Sequence, residues 1–278
     1  MPNFTQTVDP NGIYYLGPKG SFSYEVAESF TGEKIGVKTI TEIFKSVNQN
    51  SNSIGVVPIE NSKEGPVHES LDNLFKYENI YVNYEVEKNI NLVIASNQAI
   101  NSIKDVKKIY SHPHAIQEAK EKLEELGLHN IIPVESTSIA AKYASEDKDA
   151  AAICSRYAAQ INNLNILLEN VENGVNLTRF VIISNRFKIS GEKTMIFFTI
   201  PHKPGSLYKV LERFYVNNIN LTMIYSRPLK VEPWKYYFYV EFEGGLNEDK
   251  VDSAIKEISQ ITLSVKIKGS MSKLQYPV

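Results

Sequence analysis

The sequence predicts an α/β protein built from two unlike units. The first is bilobed, with a hinge and an interlobe cleft, and the second is a ferredoxin-like β-α-β-β-α-β module. Three observations predict this. A strand-turn-helix grammar repeats through the first two thirds of the chain. Two unusually long extended segments, 80–96 and 171–184, interrupt it where a chain would cross from one lobe to another and back. After a polar stretch at 187–192 the order becomes strand, helix, two strands, helix, strand. The expected boundaries are 11–187 for the first unit, with lobe 1 about 11–90 plus 171–187 and lobe 2 about 91–170, and 193–271 for the module.

Taken in order, Ile13 to Leu16 is a short strand, Gly17-Pro18 and Gly20 turn the chain, and Ser21 or Ser23 caps a helix running to about Phe30. Val37 to Ile40 and the helix Glu42 to Val47 form a second unit. Ser53 to Pro58 and the helix from Val67 to Phe75 form a third, so a largely parallel sheet is expected. Ile54, Val56, Val57 and Ile59 are β-branched, as in a strand covered on both faces. Lobe 2 repeats the pattern with strands 108–110, 131–134 and 150–154 and helices 115–126, 138–144 and 156–162. Ile116, Ala119, Leu123 and Leu126 share one helical face. In the module, strands at 195–200, 221–226, 236–242 and 263–267 alternate with helices marked by Leu207, Val210, Leu211 and Phe214 and by the run 249–258.

Composition narrows the partners. The 278 residues are 42% hydrophobic and 22% charged, with 30 basic against 32 acidic side chains and a formal charge of -2. That balance supplies no field to recruit nucleic acid or an anionic membrane, so a small-molecule partner is expected. The single cysteine, Cys154, lies in an apolar run and reads as core in a reducing compartment. Met1 to Asn11 lacks a basic start followed by an apolar stretch, and no run approaches a membrane span, which points to the cytoplasm.

Chemistry is expected at Glu60-Asn61-Ser62. Pro58 ends the apolar strand, and a carboxylate, an amide and a hydroxyl then follow at the strand's carboxyl end, where open α/β sheets build their crevices. Further hydroxyls at Ser21/Ser23, Ser111 and Ser136-Thr137-Ser138 also fall between strands and helices. Free amides and hydroxyls converging from several such turns suit a polyanionic metabolite, although each alone is an ordinary helix cap.

These residues carry a resemblance. Gly17-Pro-Lys-Gly-Ser-Phe-Ser23, Val57-Pro-Ile-Glu-Asn-Ser62 with Glu64-Gly65, Ser111-His-Pro113, Glu135-Ser-Thr-Ser138 and Asn176-Leu-Thr-Arg-Phe180 occur in the order seen in prephenate dehydratases. The chain resembles that family over almost its whole length, with a C-terminal ACT regulatory domain. The resemblance implies a catalytic domain similar to periplasmic binding proteins. It also implies conversion of prephenate to phenylpyruvate, water and carbon dioxide without a cofactor or metal. It assigns Thr178 as the critical hydroxyl, aided by Arg179 and with Glu60 as a third catalytic residue. Asn61, Ser62, Ser111, Glu118, Glu135 and Phe180 would bind substrate. Arogenate, which differs from prephenate by an amine on its side chain, is the close alternative substrate, and a non-catalytic amino-acid sensor is the alternative of another class.

Two departures stand out. Where the family usually has glutamines after Ser-His-Pro, this chain has His114 and Glu118, at helical i,i+4 spacing. A carboxylate there would repel a dianion. His112, His114 and Glu118 lack the further ligands a metal site requires. In the ACT module the resemblance places phenylalanine at Gly205, Ser206 and Leu207 and at Tyr225, Ser226, Arg227 and Pro228, between the chains of a homodimer or homotetramer. Tyr225 stands where relatives have glutamate, so weaker phenylalanine inhibition is expected.

Overall fold

A computed structural model of the chain describes residues 10–229 and 234–276. Residues 1–9, on which the reading of no leader segment largely rests, lie outside them.

Lobe 1 begins with β1 (Gly12–Leu16), α1 (Phe22–Ala27), β2 (Glu33–Val37), α2 (Ile40–Gln49) and β3 (Ser53–Asn61). It continues with a two-residue β4 (Gly65–Pro66), α3 (His68–Lys76) and β5 (Tyr81–Asn89). The expected strand at 37–40 is displaced. β2 ends at Val37, and Thr39 is already the N-cap of α2, its hydroxyl accepting from Glu42 N–H at 3.1 Å. A threonine three residues before a glutamate was a cap signal, and it outweighed the β-branched run.

The expected single strand at 80–96 is two. After β5 the chain turns at 90–91, and β6 (Leu92–Ser96) opens lobe 2, followed by β7 (Lys108–Ser111), α4 (Pro113–Glu118), α5 (Lys120–Glu125) and β8 (Ile131–Pro133). Then come α6 (Thr137–Glu146), β9 (Ala150–Ser155), α7 (Arg156–Ile161) and β10 (Asn165–Glu169). The helix expected over 115–126 breaks at Ala119, which leaves α4 and α5 as short pieces. The return crossing is also shorter than expected, with β11 starting only at Leu177 and running to Ser184.

The C-terminal module consists of β12 (Lys193–Thr199), α8 (Ser206–Val216), β13 (Leu221–Pro228), β14 (Tyr236–Glu243), α9 (Asp249–Ile261) and β15 (Ser264–Leu274). One feature was invisible in the sequence. β15 outlasts its module, pairing with β12 through Met271 and then running parallel to β5 at 272–274. The described strands therefore form one ten-stranded sheet, in the order β13-β14-β12-β15-β5-β11-β3-β1-β2 with β4 on β3, and a five-stranded sheet of lobe 2, β10-β6-β9-β7-β8. The first sheet is mixed rather than largely parallel, because β11 enters antiparallel between β3 and β5.

The change of partner occurs at a bulge. Met195 faces Gly269 and Ile196 faces Ile267, which leaves Lys268 as the extra residue. Gly269 has φ +101°, and a Cβ there would lie 3.0 Å from the Val82 carbonyl oxygen, so only glycine fits. The inserted Lys268 is 1% exposed and donates to the backbone carbonyls of Tyr77 (2.6 Å), Ile80 (3.3 Å) and Glu78 (3.4 Å), just past α3. A single core joins the module to lobe 1. Ile43, Phe44, Leu71 and Leu74 of α2 and α3 pack with Met195, Phe197, Tyr237 and Tyr239. The opposite face of the module's sheet is covered by α8 and α9.

Candidate active site

The site is built on the β3–β11 ribbon, whose antiparallel register sets Thr178 opposite Asn61 and Arg179 opposite Glu60. Side chains alternate along a strand, so the two pairs leave on opposite faces. Even-numbered residues of β11, Phe180 and Ile182, pack with α1, while Val181 and Ile183 pack with α2, α3 and the C-terminal module.

On the Thr178 face, Asn61 organises the geometry. Its Oδ1 accepts from the backbone N–H groups of Lys63 (2.9 Å) and Glu64 (3.0 Å), which holds the amide plane. Its Nδ2 then donates to Thr178 Oγ1 at 2.9 Å and to Asn176 Oδ1 at 2.6 Å. Because Oγ1 is an acceptor in that contact, the hydroxyl hydrogen of Thr178 is left to donate elsewhere. Ser62 contributes differently. Its hydroxyl accepts from Leu177 N–H at 2.9 Å while its own N–H donates to the Leu177 carbonyl at 2.8 Å, tying the turn to the start of β11.

Lobe 2 closes over this turn. His114 Nδ1 lies 3.6 Å from Glu64 Oε1, Lys63 Nζ donates to the Asn173 carbonyl at 2.6 Å, and Asn173 N–H donates to the Glu118 carbonyl at 2.8 Å. Burial holds the His112 imidazole below its ordinary pKa, and neighbouring His114 adds to the effect. At the other side of the cleft Ser138 donates to the Lys19 carbonyl at 2.5 Å. There Gly20 has φ +88°, and a Cβ would lie 2.8 Å from Ser138 Oγ, so the lobes meet where a side chain cannot fit. A cavity of about 660 Å³ lies between the lobes, lined by Tyr15, Lys19 and Lys38 from lobe 1 and by Glu135, Ser136 and Ile139 from lobe 2.

The opposite face of the ribbon has no free capacity. Arg179 donates to Glu60 at 2.7 Å, to Glu85 at 2.8 Å and to Glu241 of β14 at 2.6 Å, and Lys193 donates to Glu85 at 2.8 Å. Burial by itself would lower the Arg179 pKa, but Glu241 and Glu85 outweigh it and raise it. Glu85 is held below its ordinary value, since Lys193 and Arg179 overcome the effect of its burial. Glu241 is 0% exposed, also accepts from the Tyr239 hydroxyl, and is pushed up by burial against the pull of Arg179.

Of the residues expected at the site, Asn61, Thr178 and Ser62 are brought together, and Glu118 is linked to their turn only through its backbone carbonyl, which accepts from Asn173, the residue that Lys63 holds. Glu135 lines the interlobe cavity. Arg179 and Glu60 form an ion pair on the far face, so the expected assistance of Arg179 to Thr178 is not made; adjacent strand residues cannot share a face. Phe180 is 2% exposed in the core beneath α1. Ser111 is fully buried and donates to the Ile153 carbonyl at 2.9 Å, a partner within its own sheet. Sequence reasoning missed Asn176, although it lies two positions before Thr178, the spacing that keeps side chains on one side of an extended chain. It also missed Glu241, which no local pattern could have linked to Arg179. Among the described residues no group of three His, Cys, Asp or Glu side chains is arranged to hold a metal ion.

A family model described as prephenate dehydratase matches residues 13–188. The chain belongs to the prephenate dehydratase family. A second model, the ACT domain, matches residues 194–260. The chain is 40% identical to a bifunctional chorismate mutase/prephenate dehydratase of Aquifex aeolicus, over 94% of this chain and 73% of the relative. It is 34% identical to a prephenate dehydratase of Methanocaldococcus jannaschii over 96% of this chain and 98% of that one. The crystal structure of an Arthrobacter aurescens prephenate dehydratase in complex with L-Phe superposes with a TM-score of 0.84 at 27% identity, over 94% of this chain and 90% of that chain.

In this prephenate dehydratase homologue the ACT residues expected to bind an effector are split. Gly205, Ser206 and Leu207 line a cavity of about 350 Å³ together with His202, Trp234 and Phe238. Tyr225 instead lies against His68 of α3 with ring centroids 5.9 Å apart, and Arg227 grips Asp72 of α3 through Nε (3.2 Å) and Nη2 (2.9 Å). Ser226 and Pro228 point the other way and are exposed. The same alternation that divides Thr178 from Arg179 divides this motif.

Proposed function

We infer that the chain converts prephenate to phenylpyruvate, carbon dioxide and water, and that phenylalanine acting through the ACT domain restrains it. The observation that carries the catalytic reading is the Asn61–Thr178 contact, which leaves the threonine O–H directed away as a donor beside a cleft. In the reaction, the bond from the ring to its carboxylate breaks and carbon dioxide leaves. The released electron pair completes the aromatic ring, and the hydroxyl at the far ring position departs as water after taking a proton. Aromatisation supplies the driving force. The protein has to hold the dianion and deliver the proton, and help of that kind is worth on the order of 10²–10⁴ in rate. Thr178 donates, Asn61 keeps it oriented, and the cleft lysines Lys19 and Lys38 attract the carboxylates.

Regulation is supported by the way α3 is held. The helix follows directly on the Asn61 turn, and the ACT domain grips it at His68, Asp72 and Phe75 and just beyond its C-terminus. An effector that shifts the ACT sheet therefore has a mechanical route to Asn61. The exposed side chains Tyr208, Tyr215 and Ile224 beside the edge strand β13 suit pairing of two ACT domains in a homo-oligomer. No helix among the described residues is long and apolar enough to cross a membrane, and the reading places the enzyme in the cytoplasm.

The test is formation of phenylpyruvate, followed by absorbance, from prephenate and purified full-length protein without added metal or cofactor. Absence of product at any protein concentration would sink the reading.

A further inference from the structure

Thr178 has a neighbour on each side of its strand. Its register partner on β3 is Asn61, and its register partner on β5 is Lys88. Residues directly opposite each other in an antiparallel ladder share a face, with Cβ atoms roughly 4.5–5.5 Å apart. The next pair along the same two strands fixes the side, since Val86 and Phe180 face each other and both pack beneath α1. A lysine therefore stands beside the cleft threonine, on the flank that Asn61 leaves free. Lys88 is 7% exposed, and its ammonium lies 2.9 Å from Glu25 Oε2 of α1. The ring of Tyr276 covers that ammonium at 4.2 Å, and the Tyr276 hydroxyl donates to the Glu25 carbonyl at 3.2 Å. Tyr276 arrives by way of β15, whose Leu274 is paired with Val86 of β5. The ion pair is incomplete, because Glu25 Oε1 is buried without a hydrogen-bond partner among the described residues. A buried pair satisfied so partially costs stability rather than adding it, so stability does not account for the lysine. Burial beneath Tyr276 also limits how far solvent screens its charge.

We propose that Lys88 is a positioning residue for the dehydration, whose ammonium steadies the negative charge that Thr178 Oγ1 takes on as its proton passes to the departing hydroxyl. This rests on the prephenate dehydratase reading of the same site. A threonine hydroxyl is a weak acid, and Asn61 assists it with one uncharged N–H donated to Oγ1 at 2.9 Å. A cation on the opposite flank acts over a longer range and needs no contact with the substrate. A unit charge several ångströms away, at an effective dielectric constant of about 20, changes a rate roughly tenfold to a hundredfold. The opposed charge of Glu25, held on α1 a layer above the sheet, moves the expectation toward the lower figure. The bonds made and broken stay the same. The ring carboxylate leaves as carbon dioxide, its bonding pair aromatises the ring, the hydroxyl leaves as water with the Thr178 proton, and solvent returns a proton to Oγ1.

The experiment measures phenylpyruvate formation from prephenate by the full-length natural protein and its variants, each checked for folding by circular dichroism. Lys88→Met combined with Glu25→Gln removes the charge without leaving a buried carboxylate unpaired. Its kcat should fall roughly tenfold to a hundredfold, with KM changed less than about threefold. Lys88→Arg keeps the charge and should recover most of that loss. Glu25→Gln breaks the same ion pair but keeps the ammonium, so its kcat should exceed that of the double variant at least about fivefold. Where the methionine pair does not fold, Lys88→Gln, which can still hydrogen-bond to Glu25, serves the same comparison. Equal losses from Glu25→Gln and from the charge-free variant would show a pair that only ties α1 to the sheet, and would overturn the proposal. A loss confined to KM, or a folded charge-free variant with natural kcat, would overturn it as well. A natural protein that forms no phenylpyruvate would instead overturn the underlying catalytic reading, and the role of Lys88 with it.

Discussion

The two faces of the β3–β11 ribbon carry equally polar side chains and use them in opposite ways. Toward the cleft, Asn61, Asn176 and Thr178 leave one amide donor and one hydroxyl hydrogen unspent. Toward the ACT domain, Glu60 and Arg179 are closed in a network with Glu85, Lys193 and Glu241, in which the guanidinium meets three carboxylates. Polar groups whose bonds are complete hold a structure together, and those left incomplete in a buried place are available to a ligand. The motif residues of one short segment therefore divide between the cleft and domain attachment according to the parity of their position.

The strongest way to test that division is Thr178→Ala. It should lower kcat on the order of 10²–10⁴ with the melting temperature nearly unchanged, because it removes a donor and a methyl-bearing side chain at a cleft. Retained turnover would take Thr178 out of the mechanism. On the other face Arg179→Met leaves three carboxylates facing one another without their main counter-charge. Its expected effect is loss of about 3–5 kcal/mol of stability in denaturant titrations. A full-strength fold with selectively reduced turnover would instead place Arg179 with the chemistry.

A pH experiment sharpens the structural side of the comparison. Burial, reinforced by Lys266, lowers the Lys268 pKa from its ordinary 10.5 to about 8 in the folded protein. The folded state thus disfavours the charged ammonium, so the contribution to stability is present above 10.5 and is lost as pH falls from there through about 8. Relative to Lys268→Met, the natural protein should gain at most about 3 kcal/mol between pH 8 and 10.5. A difference that does not vary with pH would show that Lys268 titrates normally. The smallest expected effect concerns Tyr225, which rests on His68 rather than lining the Gly205 cavity. Tyr225→Glu should change phenylalanine sensitivity severalfold, toward tighter inhibition, by supplying the charge that the family resemblance implies at this position. If the natural protein is already the more sensitive, the Tyr225–His68 contact belongs to the inhibitory machinery.

Local signals sufficed for much of this molecule. Amphipathic spacing, β-branched runs and Gly/Pro punctuation mark most elements within a few residues, because each reports an interaction completed within one helix, strand or turn. The polar turn at Asn61 pointed to the candidate site, and the ordered short motifs pointed to the family. What failed locally did so where neighbours decided. The strand at 80–96 broke because residues on either side of 90–91 join different sheets, and the helix over 115–126 broke at Ala119, beside the Glu118 carbonyl that accepts from the distant Asn173.

Only the tertiary structure decided which motif residues face the cleft and which face the ACT domain. A sequence lists Thr178 and Arg179 as neighbours, and the pleat of the strand sends them to opposite sides of a sheet. It likewise contains Glu241, Asp72 and Lys268 with no hint of what they hold. Their partners, Arg179, Arg227 and the carbonyls beyond α3, lie 62, 155 and about 190 positions away. They meet because β15 overruns its own module to join β5. Pairings so distant depend on how whole sheets register against each other, and that is settled by the packing of the assembled core rather than by the propensities of any one segment.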